Sequence, residues 1–400
     1  MSVKQIDLAL EFYDWCLSEH GLKVIFERNR KQFKHMYSTK IPKNYILYAS
    51  DLSYIIAKAE ESKRNLRTVD TFFQPSKYQE SWRNIKNIFT LISLIYSPLR
   101  IIPPSYCHSQ YSINYSNQIM KAVYDAGKNL FCDFFNETTI PLVRQETPRV
   151  IGLSIVDESQ LIPSMILARL IKEVDKSIYI VTGGPIVTSL RERLPHEKEL
   201  FTLFDAAIIF EGERPLYELV RSLQENQEMS EVPNLIYATK NTIKVTPTKA
   251  PENIDALPTP DFDDIQLHRY FLPKPVLPIY STRGCYWRKC AFCGWRRNGR
   301  PHYHQRPVET VVRDMIALSA KYSVNHFTFT DATIPLARMR DISNALYRSK
   351  NNIEWCCMSR LDGNATKQVY KEIRRGGMQT NQLWIRVGFP KNTSTDEQGY

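Results

Sequence analysis

Three cysteines fall within nine residues of this chain, Cys285, Cys290 and Cys293, in the run Cys-Tyr-Trp-Arg-Lys-Cys-Ala-Phe-Cys. Thiolates are metal ligands. Three of them suit a centre with one open position, since structural zinc sites are closed by four protein ligands. A four-iron, four-sulfur cluster held by only three cysteines would leave one iron able to bind a substrate or cofactor. A zinc ribbon would need a second spaced pair, and the other nearby thiols, Cys356 and Cys357, are adjacent.

The cluster loop follows a short apolar run, Val276 to Tyr280, which reads as a strand. Beyond it the pattern alternates: helix 308–322, strand 326–330, helix 337–350, strand 353–358, helix 367–375 and a further strand at 383–387. Three or four strand–helix units imply the start of a barrel-like arrangement over 276–400. An earlier alternating region spans 149–246, with strands at Val150 to Val156, Ile178 to Thr182 and Ala206 to Phe210 and helices at 161–174, through Leu190 and from Pro215. Continuous apolar runs suit strands buried on both faces. The expected fold there is an α/β doubly wound parallel sheet, whose ligands sit beyond the carboxyl ends of the strands. Asn234 to Tyr237 and Thr242 to Val245 read as a small hairpin, and the proline-rich stretch 247–275 as an ordered linker. From Glu11 to Asn129 the spacing is mostly helical, broken at Pro103-Pro104 and resumed from Tyr111 to Phe135, so 1–148 forms a helical N-terminal region.

The chain has 400 residues, 43% of them hydrophobic and 24% charged, which predicts two or three folded domains. Its apolar runs are too short to span a bilayer, and no basic segment with an apolar run and cleavage site opens the chain, so a cytoplasmic location is expected and a membrane partner is not. The formal charge of +11 raises nucleic acid as a partner. Its basic clusters, at 27–31 and 295–300, are short and interrupted, which argues against that. Eight unevenly spaced cysteines do not form a disulfide framework.

Ser281-Thr282-Arg283-Gly284-Cys285 followed by Cys290-Ala291-Phe292-Cys293 resembles the cluster motif of radical S-adenosylmethionine enzymes. The spacer of four residues between the first two cysteines, in place of the usual three, is similar to that of a cobalamin-binding branch. Upstream segments resemble the same branch: Ile151 to Ile155, Glu158-Ser159-Gln160, Gly183-Gly184-Pro185, Glu211-Gly212-Glu213 and Leu257 to Phe262. The likeness extends from about Arg149 to Lys371. It implies a Rossmann-like cobalamin domain at 149–246 and a partial radical SAM (TIM-like) barrel at 276–400. It implies a [4Fe-4S] cluster on Cys285, Cys290 and Cys293, with S-adenosylmethionine on the open iron, cleaved by one electron to a 5′-deoxyadenosyl radical. Methyl transfer by cobalamin to carbon of a peptide or other small-molecule substrate would follow, with an electron donor such as flavodoxin or ferredoxin. Cofactors would carry the reaction while the protein binds and orients.

By the same resemblance Phe292 packs near adenine and Asp331 contacts the methionine amino group, with Arg360 a further candidate. The other readings of these two are a helix N-terminal residue for Asp331 and a surface salt bridge for Arg360. Ser154, Glu158, Ser159, Gly183, Gly184 and Gly212 are expected to line the cobalamin edge, where glycine allows close approach of backbone to a macrocycle or simply a tight turn. No Asp-x-His-x-x-Gly sequence occurs, so base-off cobalamin without a protein imidazole is expected. The family's cobalamin domain opens with a strand and helix ahead of a segment like Val3 to Asp7, which here starts the chain, and no acidic residue follows the strand at 383–387. A shortened enzyme is therefore expected, with an inactive remnant of the same ancestry and a zinc-dependent nucleic-acid module as alternatives.

Overall fold

The computed structural model describes residues 2–29, 51–108, 110–125, 129–240, 242–249, 253–291, 293, 303–360 and 366–379. It comprises two compact units, Met1–Glu252 with Asp263–Pro273, and Asn253–Phe262 with Lys274–Tyr400. The proline-rich stretch is thus shared between them.

The first unit opens with α1 (Leu8–Cys16), α2 (Glu19–Arg28), α3 (Leu52–Arg67), α4 (Val69–Phe72) and α5 (Pro75–Ile95). The break expected at Pro103-Pro104 is the turn of an antiparallel hairpin, β1 (Leu99–Ile102) with β2 (Ser105–His108). Proline presets its own φ and has no N–H to leave unpaired, which suits a turn better than a helix end. Helices α6 (Ser116–Tyr124), α7 (Leu130–Glu137) and α8 (Thr139–Glu146) follow.

Next come β3 (Val150–Ser154), α9 (Leu161–Val174), β4 (Tyr179–Gly183), α10 (Pro185–Ser189), β5 (Ala206–Ile208), α11 (Glu213–Glu225), β6 (Leu235–Ala238) and β7 (Ile243–Val245). These strands form one five-stranded sheet in sequence order. β3, β4 and β5 run parallel, while β6 and β7 are antiparallel. The expected hairpin therefore forms, but as part of the sheet, because Leu235, Ile236 and Tyr237 are all buried. The helical region and the sheet share one apolar core, joining Phe12, Ile25 and Ile92 to Leu153, Ile166 and Ile180. Phe12 stacks on Phe131 at 5.0 Å and meets Phe134 edge-on at 5.3 Å. Segment 263–273 is tied to α1, where Arg269 pairs with Glu11 and with Asp14 at 2.9 Å. The Tyr270 hydroxyl donates to Asp7 at 2.6 Å, while Asp7 caps α1 through the Ala9 and Leu10 N–H groups.

The second unit contains β8 (Val276–Ile279), β9 (Thr282–Arg283), β10 (His304–Gln305), α12 (Val308–Tyr322), β11 (His326–Phe329), α13 (Leu336–Ser349), β12 (Glu354–Cys356) and α14 (Lys367–Arg375). Its main sheet is three parallel strands in the order β12-β11-β8. Pro278 is accommodated because β8 is an edge strand among the described residues. The Thr259 hydroxyl donates to Asp314 at 2.8 Å and the Phe262 N–H to the Tyr322 hydroxyl at 2.8 Å, which fixes 253–262 to this unit. The strand expected at 383–387 lies outside the described residues. Among them no helix is long and apolar enough to cross a membrane.

After α14 the chain turns back onto the sheet through Gly376 and Gly377. The Trp355 indole N–H donates to the Gly376 carbonyl at 2.9 Å, its backbone N–H to Gly377 at 3.0 Å, and Met378 forms a parallel bridge to Trp355. Gly377 has φ +90°, and a Cβ there would lie 1.9 Å from the Ile353 carbonyl oxygen. Left-handed strain and overpacking then act together, so Gly377→Ala is expected to destabilise the second unit by at least about 2 kcal/mol. Chemical denaturation of the variant checks this, and an unchanged midpoint would refute it.

Candidate functional site

The three parallel strands of the second unit's main sheet point their carboxyl ends at one edge, and the segments leaving that edge carry the candidate residues. The cysteine loop leaves β8, Asp331 follows β11 and Arg360 follows β12. Cys285, Cys290 and Cys293 are half-buried free thiols, with a turn closed by the Cys293 N–H on the Cys290 carbonyl at 3.2 Å. Among the described residues no group of three His, Cys, Asp or Glu side chains converges as the ligands of one metal ion. This is compatible with an iron–sulfur cluster, whose thiolates each bind a different iron, and the donor set of three thiols on one loop has the chemistry such a cluster uses. Cys356 does not join the loop, since its thiol lies 3.4 Å from the Thr328 hydroxyl. Burial, with Asp331 and Cys356 nearby, pushes the Cys357 thiol well up, so it remains protonated.

Asp331, expected at a ligand, is hydrogen-bonded to the root of the loop. It is 1% exposed. Its Oδ2 accepts the Ser281 N–H at 3.0 Å, and its Oδ1 accepts the Ser281 hydroxyl at 2.9 Å and the Thr282 hydroxyl at 2.6 Å. Nor does it cap a helix, because α13 begins only at Leu336. On the other side of Ser281, Arg338 of α13 donates to the Ser281 hydroxyl at 3.0 Å and its carbonyl at 2.9 Å. Arg338 also donates to the Arg306 carbonyl at 2.5 Å, and the Arg306 side chain pairs with Asp314 at 2.6 Å, with both side chains almost wholly buried. Asp331 and Arg338 thus grip Ser281, and Asp331 also Thr282, at the start of the segment that leads into Cys285.

Arg360 is likewise turned to the loop: its guanidinium carbon lies 3.3 Å from the centre of the Trp287 ring. Arg360 thus makes a cation–π contact inside the unit, a partner that the sequence reading does not foresee. Phe292 lies outside the described residues.

In the first unit, Ser154 and Gly183 are register partners at the carboxyl ends of β3 and β4, and Ser154 is exposed. Glu158 is also exposed. Ser159 is used locally, donating from its hydroxyl to Asp157 at 2.6 Å and from its N–H at 2.9 Å, which holds the Asp157 carboxyl below its usual range. Gln160 closes the turn by accepting from the Val156 and Asp157 N–H groups. Gly184 is required by the chain itself, with φ +101° and a built Cβ only 2.5 Å from the Ile155 carbonyl oxygen. Gly183 and Gly212 differ: built Cβ atoms there meet only ordinary contacts, 3.6 Å to Ile208 O and 3.9 Å to Ile208 Cγ2. Internal packing does not demand glycine at either, so the edge at Ser154 and Gly183 fits a surface kept low for a ligand. Phe210, at the end of β5, adopts φ +64° and is held by its N–H on the Thr188 hydroxyl at 2.8 Å.

The sequence reading gives no individual role to Ser281, Thr282, Arg306, Asp314 or Arg338, and takes Trp287, with Tyr286 and Trp295, as lining a pocket or packing a core. Ser281 and Thr282 lie inside the cysteine motif and could have been singled out as hydroxyl pairs. Nothing local marks a buried arginine.

No protein-family model matches the chain. A protein of Pyrococcus horikoshii described as an uncharacterized methyltransferase is 25% identical over 254 residues, 62% of this chain and 54% of that protein. The chain thus spans about half the length of that curated relative. Its structural neighbours are cobalamin-dependent radical SAM enzymes. They include the radical S-adenosylmethionine methyltransferase TsrM of Kitasatospora setae with cobalamin and a [4Fe-4S] cluster, at 15% identity, TM-score 0.49, and 68% and 57% coverage of the two chains. OxsB with aqua-cobalamin and S-adenosylmethionine matches at 21% identity, TM-score 0.48, and 60% and 35% coverage.

Burial raises the Asp331 pKa, and the hydrogen bonds from Thr282 and Ser281 only partly offset it. A raised carboxyl pKa means that the folded state holds the proton more tightly. The stability tied to that proton is fully present at low pH and is lost as pH rises through the folded pKa. Asp331→Asn is expected to cost roughly 1–3 kcal/mol. The wild-type advantage over this variant, followed by thermal unfolding, should shrink as pH climbs above the ordinary carboxylate range. A difference that is flat or grows with pH would contradict this.

Proposed function

We propose that this chain is the cobalamin- and cluster-binding part of a radical S-adenosylmethionine methyltransferase, acting on carbon of a peptide or other small molecule. The observation that carries the reading is the loop of three free thiols at the carboxyl edge of a parallel sheet, fixed at its root by buried polar groups. In support are the parallel strands of the first unit and the likeness to a Pyrococcus horikoshii protein described as an uncharacterized methyltransferase.

Cys285, Cys290 and Cys293 would hold a [4Fe-4S] cluster, and the edge at Ser154, Gly183 and Gly212 would face cobalamin within a Rossmann-like domain. The chemistry these groups supply when bound is one-electron cleavage of S-adenosylmethionine to a 5′-deoxyadenosyl radical and methyl transfer through cobalamin, with flavodoxin or ferredoxin as electron source. The chain's own residues do the positioning. Asp331 and Arg338 hold the loop root in one conformation. Phe327 and Phe329 of β11 are buried, with Phe329 edge-on to Trp355 at 5.3 Å, so the strand that leads to Asp331 is seated in apolar packing.

Anaerobic reconstitution tests the reading. The wild-type chain should take up about four iron and four sulfide per molecule and release 5′-deoxyadenosine from S-adenosylmethionine with a reductant, and Cys290→Ala should abolish both. Stoichiometric zinc with no iron or sulfide uptake would sink the proposal.

A further inference from the structure

The spacer between Cys285 and Cys290 has four residues, and its middle is restrained from several sides. Arg288 adopts φ +49°, a left-handed conformation unfavourable for a residue with a Cβ. It therefore needs restraint from its neighbours. Tyr286 meets Tyr303 edge-on at 6.0 Å, and Lys289 sits 5.2 Å from the centre of the Trp287 ring. The closest restraint comes from elsewhere in the unit: the Arg360 guanidinium lies 3.3 Å from the same ring centre, delivered by the segment that leaves β12. A planar guanidinium can lie flat on an indole, which a lysine ammonium cannot.

We infer that Arg360 is a positioning residue that clamps the cysteine loop through Trp287, so that the four-residue spacer presents Cys285 and Cys290 in a fixed relation. The value of this clamp for cluster binding rests on the function proposed above, but the clamp itself does not. Asp331 fixes the root of the loop and Arg360 its middle, and the two anchors come from adjacent strands of one sheet. Loss of the stack frees the spacer to sample conformations in which the thiols are more accessible.

The test is thiol alkylation of the cofactor-free protein by iodoacetamide, followed at Cys285 and Cys290 by peptide mass spectrometry, with exposed Cys107 as internal reference. A half-buried cation–π contact of this kind predicts labelling about fivefold faster in Arg360→Ala and in Trp287→Ala. The double variant should be no faster than Trp287→Ala, which already removes the shared contact. Arg360→Lys should restore the wild-type rate only in part. Equal thermal midpoints verify that the variants are folded. Unchanged labelling in either single variant, or effects that multiply in the double one, would overturn the clamp. If the wild-type chain takes up no iron and sulfide while labelling behaves as expected, the functional reading fails and the clamp stands. Normal labelling with altered cluster spectra in Arg360→Ala alone would instead place Arg360 against the cofactor, again overturning the clamp.

Discussion

A carboxylate sealed from water cannot leave its acceptors empty without a large cost, and Asp331 meets that demand entirely from the segment that leads into the cysteine loop. It stands at the end of the central strand of its sheet, so its position is inherited from backbone pairing on both sides. The donors it recruits, the Ser281 N–H and the Ser281 and Thr282 hydroxyls, therefore inherit that position in turn. Arg338 closes on Ser281 from α13 and reaches the Arg306 backbone, while Arg306 is itself paired with Asp314. Such a buried pair is weak evidence for stability, since apolar replacements of equal volume are often as stable. What it provides here is directionality: each hydrogen bond accepts only a narrow range of geometries, so the loop root has one orientation.

The two units build the carboxyl edges of their sheets by different means. In the second, polar side chains from three elements converge on one turn. In the first, the edge is made of backbone: parallel register brings Ser154 beside Gly183, and Gly184 touches the Ile155 backbone so closely that no side chain fits. Asp157, Ser159 and Gln160 then form a self-contained cap on the turn after β3. A backbone edge of this kind presents a low, broad surface. A side-chain network fixes a few atoms in space.

Much of the architecture was legible in the sequence because it follows from local periodicity. Helices α9, α12 and α14 occupy the spans that apolar spacing predicts, and β3, β5, β8, β11 and β12 lie within the apolar runs that mark them, whereas β4 and β6 end one residue later and β1, β2, β9 and β10 are not foreseen. The hairpin at β6 and β7 was legible as a hairpin but not as part of the sheet, since strand pairing is a non-local matter. The Pro103-Pro104 pair reads as an interruption, yet whether an interruption is a turn between strands depends on the partner the second strand finds.

The cysteine spacing belongs to the sequence alone, and so do the types of ligand it can offer, because both are properties of a contiguous run of side chains. Its likeness to an iron–sulfur motif needed nothing from the fold. The roles of Asp331 and Arg360 were decided only in three dimensions. Each lies far along the chain from its partner, Ser281 or Trp287, and faces it because parallel pairing aligns the carboxyl ends of β8, β11 and β12. An acidic or basic residue after a strand can face a ligand or a neighbouring loop. The choice is made by which donors and rings the folded chain brings within hydrogen-bonding or stacking distance, and no local pattern encodes that distance.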